Sequence, residues 1–382
     1  MKILSVVGAR PNFMKIAPFI RAIEKHNAGT QSKIQHTLVH TGQHYDDRMS
    51  RLFFEELAIP EADINLGIGS GSHAEQLGYT MIEFEKVLLS EKPDWVVVIG
   101  DVNATLSCSI VAKRLQIKCC HIEAGLRSGD MSMPEEINRL VTDRLCDLLL
   151  TPDRLSSANL IGEGVSPKKI GFVGNIMIDT LDANYQKASQ LSFEKIIGEN
   201  TLFALHKHSI IEDAFAVMTL HRPSNVDDKK VLSPLLSFLI DEAGKDMPLV
   251  WPIHPRAARQ LEAFDLWDKV KNAPNLILLH PLGYFEMLRL TMSARIMLTD
   301  SGGLQEECTV LGTPCLTLRW NTERPVTLKE HGGVSVLVGN NIERIKTEYL
   351  LAREQARKPV RPELWDGQTA GRCLAAILAY SE

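Results

Sequence analysis

Short runs of Val, Ile and Leu recur along this chain, separated by longer amphipathic stretches, and that rhythm constrains the fold more than any other feature. KILSVVG is followed by the stretch 15–26, HTLVHTG by the stretch 47–57, and then come WVVVIGD, CCHIEAG, LLLTP and IGFVGN. A strand that reads as a continuous apolar run is buried on both faces, and helices between consecutive runs cover both faces of a parallel sheet. The pattern decays into a polar, weakly periodic stretch over 186–213 and resumes with AVMTLH, PLVWPIH, LILLH, RIMLTD and PCLTLR. A chain of 382 residues exceeds what one core usually serves. The reading is an α/β protein of two parallel-sheet domains, with helices predicted to start at Pro255, at Tyr284 and after Ser301-Gly302-Gly303, and a last helix over 368–380.

Bulk composition removes several function classes. Hydrophobic residues at 45% supply ample core, and a net charge of -5 offers no broad footprint for nucleic acid or an anionic membrane. The expected partner is therefore a small molecule. The opening apolar run of MKILSVVGARPNF is too short for a membrane span and meets Arg10 at once, so it reads as a first strand. Seven cysteines form no spaced framework and no CxxC pair, and no histidine pair has metal spacing such as HxxxH on a helix, so reduced thiols, a cytoplasmic location and a metal-free site are expected.

Ligands of open parallel sheets sit beyond the carboxyl ends of the strands, and those positions are polar here. Asp300-Ser301-Gly302-Gly303 leads a strand into a helix whose first N–H groups favour an anion such as a diphosphate, although Ser and Gly also begin many ordinary helices. Arg10 and Lys15 lie at or just after the first strand end, where fixed cations would neutralise a departing phosphate. Asp101 and Glu123 end consecutive apolar strands, where a carboxylate is costly unless paired or used. Clustered carboxylates can also be tuned towards acid or base work near neutral pH. The structural alternatives are an N-cap role for Asp101, before a helix from Thr105, and a loop bond for Glu123. Glu135 opens PEEINR with Arg139 one turn on, so an i,i+4 salt bridge is the simplest reading of that pair taken alone. His221 and Arg222 end AVMTLH in the second half.

Together GARPNFMK, TGQHY, GDVNATL, HIEAGLRSGDMSMPEEINR, HRPSN, TDSGGLQEE and GTPCLTLRWNTERP resemble the non-hydrolysing UDP-N-acetylglucosamine 2-epimerase family, nearly end to end. The resemblance implies two Rossmann-like domains in the glycosyltransferase-B architecture, with a ligand cleft between them. Their expected spans are 1–185 for the first domain, 186–365 for the UDP-binding domain and 366–382 for a helix crossing back to the first. It also implies a homodimer and a UDP-sugar substrate, without cofactor. The implied reaction is anti elimination of UDP across C1 and C2 to give 2-acetamidoglucal, then re-addition after proton delivery to the opposite face. Asp101, Glu123 and Glu135 match the three catalytic carboxylates, with the base unassigned among them, and His221 matches the histidine near the diphosphate. Arg10, Lys15, Arg139, Ser301 and Gly302 match diphosphate positions, Glu307 the ribose-binding glutamate, and Arg324 a further position near the ligand. Gln43 and His44 match a stretch that holds an activating UDP-sugar, with Asp46 in place of its second glutamine. Ser224 and Val326 stand where carboxylates are usual. The same resemblance keeps two alternatives open: a hydrolysing relative that releases UDP and N-acetylmannosamine, and a 2-epimerase of a 2,3-diacetamido uronic acid.

Overall fold

A computed structural model describes residues 1–42, 56–203 and 210–381. The chain divides into two compact units, Met1–Ala183 with Pro362–Glu382, and Asn184–Arg361.

The first unit contains, among its described residues, β1 (Lys2–Val7), β2 (Gln35–His40), β3 (Ile64–Asn65), β4 (Trp95–Ile99), β5 (Lys118–Ile122), β6 (Leu148–Thr151) and β7 (Ile170–Phe172). They form one sheet in the order β3-β2-β1-β4-β5-β6-β7, with every pairing parallel. β4 reads WVVVI and is buried at every position, as a strand covered on both faces must be. Strand order reverses between β1 and β4. At such a reversal in a parallel sheet, the carboxyl edge is where ligands of this fold class bind. Asn12 ties the two strand ends together: its Oδ1 accepts from the Gly8 and Ala9 N–H groups at 3.1 Å each, and its Nδ2 donates to the Ile99 carbonyl at 2.8 Å. The terminal helix, Thr369–Ser381, packs within this unit and starts on Asp179, whose carboxylate accepts from Thr369 N at 3.0 Å and Ala370 N at 2.7 Å. A buried carboxylate from a distant helix thereby satisfies N–H groups that have no partner inside their own helix.

The second unit repeats the scheme with β8 (Ala216–Thr219), β9 (Leu249–Pro252), β10 (Leu276–Leu279), β11 (Ile296–Thr299), β12 (Cys315–Thr317) and β13 (Ser335–Leu337). Their order is β10-β9-β8-β11-β12-β13, again all parallel, so this sheet reverses between β8 and β11. Its core gathers Met218, Trp251, Leu298 and Leu316 from the strands with Leu235, Leu236 and Tyr349 from covering helices. The helices Pro255–Ala263, Tyr284–Ser293 and Gly302–Leu311 start where the sequence places them. The fold class is thus α/β with two Rossmann-like units. Of the strands, β3 and β13 are the two that the sequence reading does not name; β3, with two residues, is too short to show a period. Among the described residues, no helix is long and apolar enough to cross a membrane.

Candidate active site

Each sheet gathers polar side chains at its own switch point. In the first unit, the helix after β4 runs Asn103–Arg114 with Val102 in the cap position, so Asp101 does not cap it. The Asp101 carboxylate instead pairs with the Arg139 guanidinium. Arg139 is 1% exposed and also forks onto Glu136, with Nε at 3.0 Å and Nη2 at 2.7 Å from Oε2. Arg139 therefore pairs with Glu136 at i,i+3, not with Glu135 at i,i+4. Glu135, on the first turn of the Pro134–Leu145 helix and only partly covered, has no side-chain hydrogen bond or ion pair among the described residues. Burial pushes the Glu136 carboxyl up, but the N–H groups of Ser128 and Gly129 and the Arg139 guanidinium outweigh it and hold the group below the usual range. Asn138, on the same helix, donates to the Asp101 carbonyl at 2.8 Å and fixes the turn from behind.

Glu123 follows β5 in the left-handed region, at φ 76°. Such backbone is costly for a residue with a Cβ and persists where surrounding structure imposes it. Here the N–H groups of Glu123 and Ala124 both reach the Leu150 carbonyl, at 3.0 Å each. The carboxylate forms an ion pair with Lys15, and both side chains are almost wholly buried. Gly100, at φ 69°, leaves room for this pair, since an added Cβ would lie 3.3 Å from both Glu123 Oε2 and Lys15 Nζ. Strand pairing of β4 with β5 thus places the Glu123 carboxylate against the residue that precedes Asp101. Arg10 is the first residue of its helix, and its side chain lies outside the described part of the structure. Gln43 and His44 lie outside the described residues.

In the second unit, His221 follows β8 with its Nδ1 2.7 Å from Asp300 Oδ1 and its side chain 38% exposed. Asp300 is fully buried and also accepts from His221 N at 3.0 Å, Arg222 N at 2.9 Å and Asn225 Nδ2 at 3.2 Å. Burial pushes its carboxyl up, yet the His221 ring and these backbone donors prevail and hold it below the usual carboxylate range. A carboxylate on Nδ1 orients the ring with Nε2 free to face a ligand. Asp300 was not singled out from the sequence for this role. Its signal there was a strand end in the pattern TDSGG, read only for its anion-binding turn. His254 lies beside His221, with ring centroids 5.5 Å apart, and its Nδ1 caps its own helix by accepting from Arg256 N.

Ser301 occupies the cap position of the Gly302–Leu311 helix without a side-chain cap bond. The first turn's N–H groups point out of the helix start, as anion binding requires. At Gly302 an added Cβ would lie 2.7 Å from both Arg324 Nη1 and Glu323 Oε1, so a larger residue there would displace this ion pair. Arg324 is buried and paired with Glu323 and with Glu306, the latter at 2.8 Å. Arg319 holds Glu323 from the other side at 2.6 Å. Glu307, also buried, is pushed by burial up to about 7, with Glu306 acting in the same direction and the Tyr284 hydroxyl opposing. The Arg319–Glu323–Arg324–Glu306 network is not foreseeable from spacing, since its members come from one helix and a separate loop. Among the described residues, no group of three metal-ligating side chains is arranged to hold a metal ion.

Residues 26–378 match the family model described as UDP-N-acetylglucosamine 2-epimerase. The chain is 41% identical to the UDP-N-acetylglucosamine 2-epimerase of Methanocaldococcus jannaschii, covering 100% of both chains. It is 38% identical to a UDP-2,3-diacetamido-2,3-dideoxy-D-glucuronate 2-epimerase of Pseudomonas aeruginosa, covering 99% of both. A crystal structure of the M. jannaschii enzyme in complex with UDP-GlcNAc and UDP superposes with a TM-score of 0.88 at 40% identity, covering 100% of both chains. Two parallel sheets with this strand order, and a match that runs the length of the molecule, lead to one conclusion: the chain belongs to the UDP-N-acetylglucosamine 2-epimerase family.

Proposed function

We propose that this protein interconverts UDP-N-acetylglucosamine and UDP-N-acetylmannosamine, with proton transfer assigned to the first unit and the nucleoside of UDP to the second. The observation that carries this reading is the pair of carboxylates at adjacent strand ends, Asp101 on Arg139 and Glu123 on Lys15. Binding a nucleotide alone does not call for such a pair, whereas moving a proton on and off carbon does. A sugar C2–H has no adjacent carbonyl to acidify it, so its removal must be coupled to departure of a stabilised diphosphate. One carboxylate takes the C2 proton, the C2–H electron pair forms the C1–C2 double bond, and the C1–O bond breaks with its electrons leaving on UDP. A protonated carboxyl group on the other face gives its proton to C2 of the glucal, the C1–C2 double bond supplying the electron pair, and a UDP oxygen re-adds at C1. Asp101, Glu123 and Glu135 supply these groups, with the division of labour among them open.

The leaving diphosphate is met by Ser301 and Gly302 at their helix start, by Arg324, and by Arg10, Lys15 and Arg139. His221, aimed by Asp300, stabilises it or gives it a proton. Glu307 receives the ribose hydroxyls. We further assign the protein to the cytoplasm as a homodimer, with no metal or organic cofactor in the chemistry. The test is incubation with UDP-N-acetylglucosamine in deuterium oxide, following the C2 and anomeric protons by NMR. Deuterium at C2 of UDP-N-acetylmannosamine is the expected result. Free UDP with free N-acetylmannosamine would make the enzyme hydrolytic, and an unchanged spectrum would overturn the reading for this substrate. A second substrate class is supported by the 38% identical diacetamido-glucuronate epimerase, together with Ser224 and Val326 at positions where the family usually has carboxylates. Turnover of a UDP-2,3-diacetamido uronic acid in preference to UDP-N-acetylglucosamine would establish it.

A further inference from the structure

His121 lies on β5, two residues before Glu123, and is wholly buried. Its Nε2 is 2.8 Å from the Gly100 carbonyl oxygen and its Nδ1 is 2.6 Å from Asp143 Oδ1. A carbonyl oxygen only accepts, so Nε2 carries a proton. Asp143 is itself acting as an acceptor: its Oδ2 takes the Gly125 N–H at 3.0 Å and the Arg127 Nη1 at 2.7 Å. Burial raises the Asp143 carboxyl, but His121 and Arg127 outweigh burial and keep it below the ordinary aspartate range. Asp143 Oδ1 is the partner of Nδ1, so both ring nitrogens are tied to fixed groups of the fold. Arg127 in turn forks onto Glu163, with both bonds at 2.7 Å, which anchors the arrangement at the surface.

The two bonds of this ring end on the loop after β4 and on the Pro134–Leu145 helix. Gly100 precedes Asp101, and its N–H donates to the Ile122 carbonyl at 3.1 Å, immediately before Glu123. Asp143, through Gly125, holds the far side of the Glu123 turn, where an added Cβ on Gly125 would lie 2.3 Å from the Ser156 carbonyl oxygen. The left-handed Glu123 is therefore clamped between His121 before it and Gly125 after it. The same imidazole also pins the loop that carries Asp101.

We propose that His121, held by both ring nitrogens between Asp143 and the Gly100 carbonyl, is a positioning residue that sets the Asp101 and Glu123 carboxylates relative to each other. This role rests on the epimerase reading above. It touches neither substrate nor the reacting atoms, so it acts on the spacing of two groups that must address one carbon.

Two variants separate the two bonds. His121→Gln can place its amide N–H where Nε2 lies and keep the Gly100 bond, whereas His121→Asn can mimic Nδ1 and keep only the Asp143 bond. The expected result is a fall in kcat for His121→Asn on the order of 10- to 100-fold, with KM and UDP affinity near the wild-type values, and partial recovery in His121→Gln. Equal kcat in both variants and wild type, with only thermal stability lowered, would overturn the role, as would loss of UDP affinity in step with kcat. On the wild-type protein, 15N-histidine NMR should show a slowly exchanging proton on Nε2 of His121, and a ring whose Nε2 carries no proton would also overturn the proposal. The ring readout does not depend on activity. If the wild-type protein exchanges no C2 proton of any UDP-sugar, the epimerase reading fails, while the ring result still decides how His121 is held.

Discussion

The two units end their parallel strands in the same way but treat buried acid differently. In the first, Asp101 and Glu123 each meet a buried cation, Arg139 and Lys15. In the second, Glu306 and Glu323 are paired with Arg324, while Glu307 beside them is buried against Tyr284 and a neighbouring acid and is pushed up to about 7. One sheet architecture thus offers two electrostatic settings. Cations next to the carboxylates keep charge available for proton transfer, and a carboxyl near neutrality can accept or donate a hydrogen bond to an uncharged partner such as a sugar hydroxyl.

The comparison is tested most severely at Glu123. Glu123→Gln should lower C2 deuterium exchange by about 10²–10⁴-fold. It should also cost about 3–5 kcal/mol in denaturant titration, because Lys15 stays buried without its carboxylate partner. Asp101→Asn should impair exchange as well, but cost no more than about 1 kcal/mol, since Arg139 keeps Glu136. Equal stability of the two variants would break the distinction drawn between their cations. Asp300→Asn comes next. With His221 no longer held by a carboxylate, kcat should fall about 10- to 100-fold while UDP affinity, read by calorimetry, holds.

A smaller effect distinguishes Glu307. In the folded chain its pKa, about 7, lies above the ordinary glutamate value of 4.5, so as pH rises the unfolded chain releases this proton first. The resulting stability is full below about pH 4.5 and declines until about pH 7, a loss on the order of 3 kcal/mol. Urea titrations at pH 5 and pH 8 should show a shallower decline in Glu307→Gln than in the wild type, and parallel declines would remove the asymmetry between the units. The smallest change is expected at Ser224, which is exposed in a short helix. Ser224→Glu should alter stability by less than about 0.5 kcal/mol, so any change in preference between acetamido and diacetamido uronate substrates would report recognition and not folding.

Much of the fold was legible because its signal is local. A run such as WVVVI declares a doubly covered strand, and Pro255 or Gly302 declares a helix start, without reference to distant residues. Asp101, Glu123, His221 and Ser301 were legible as strand-end positions for the same reason. The i,i+4 reading of Glu135 with Arg139 failed because helical spacing makes several pairings available, and Asp101, reaching across from another loop, drew Arg139 towards Glu136. His121 and Asp300 escaped a functional reading because one sits inside an apolar strand and the other looked like part of a turn.

The sequence by itself determined two α/β halves, the strand ends where chemistry would collect, and the family to which those motifs belong. Tertiary structure alone decided the pairings: Lys15 with Glu123 across 108 positions, Arg139 with Asp101 across 38, and His121 with Asp143 across 22. Periodicity records which face of an element is buried. It does not record which strand lies next to which, and sheet order is what brings a cation from one helix against a carboxylate at a distant strand end.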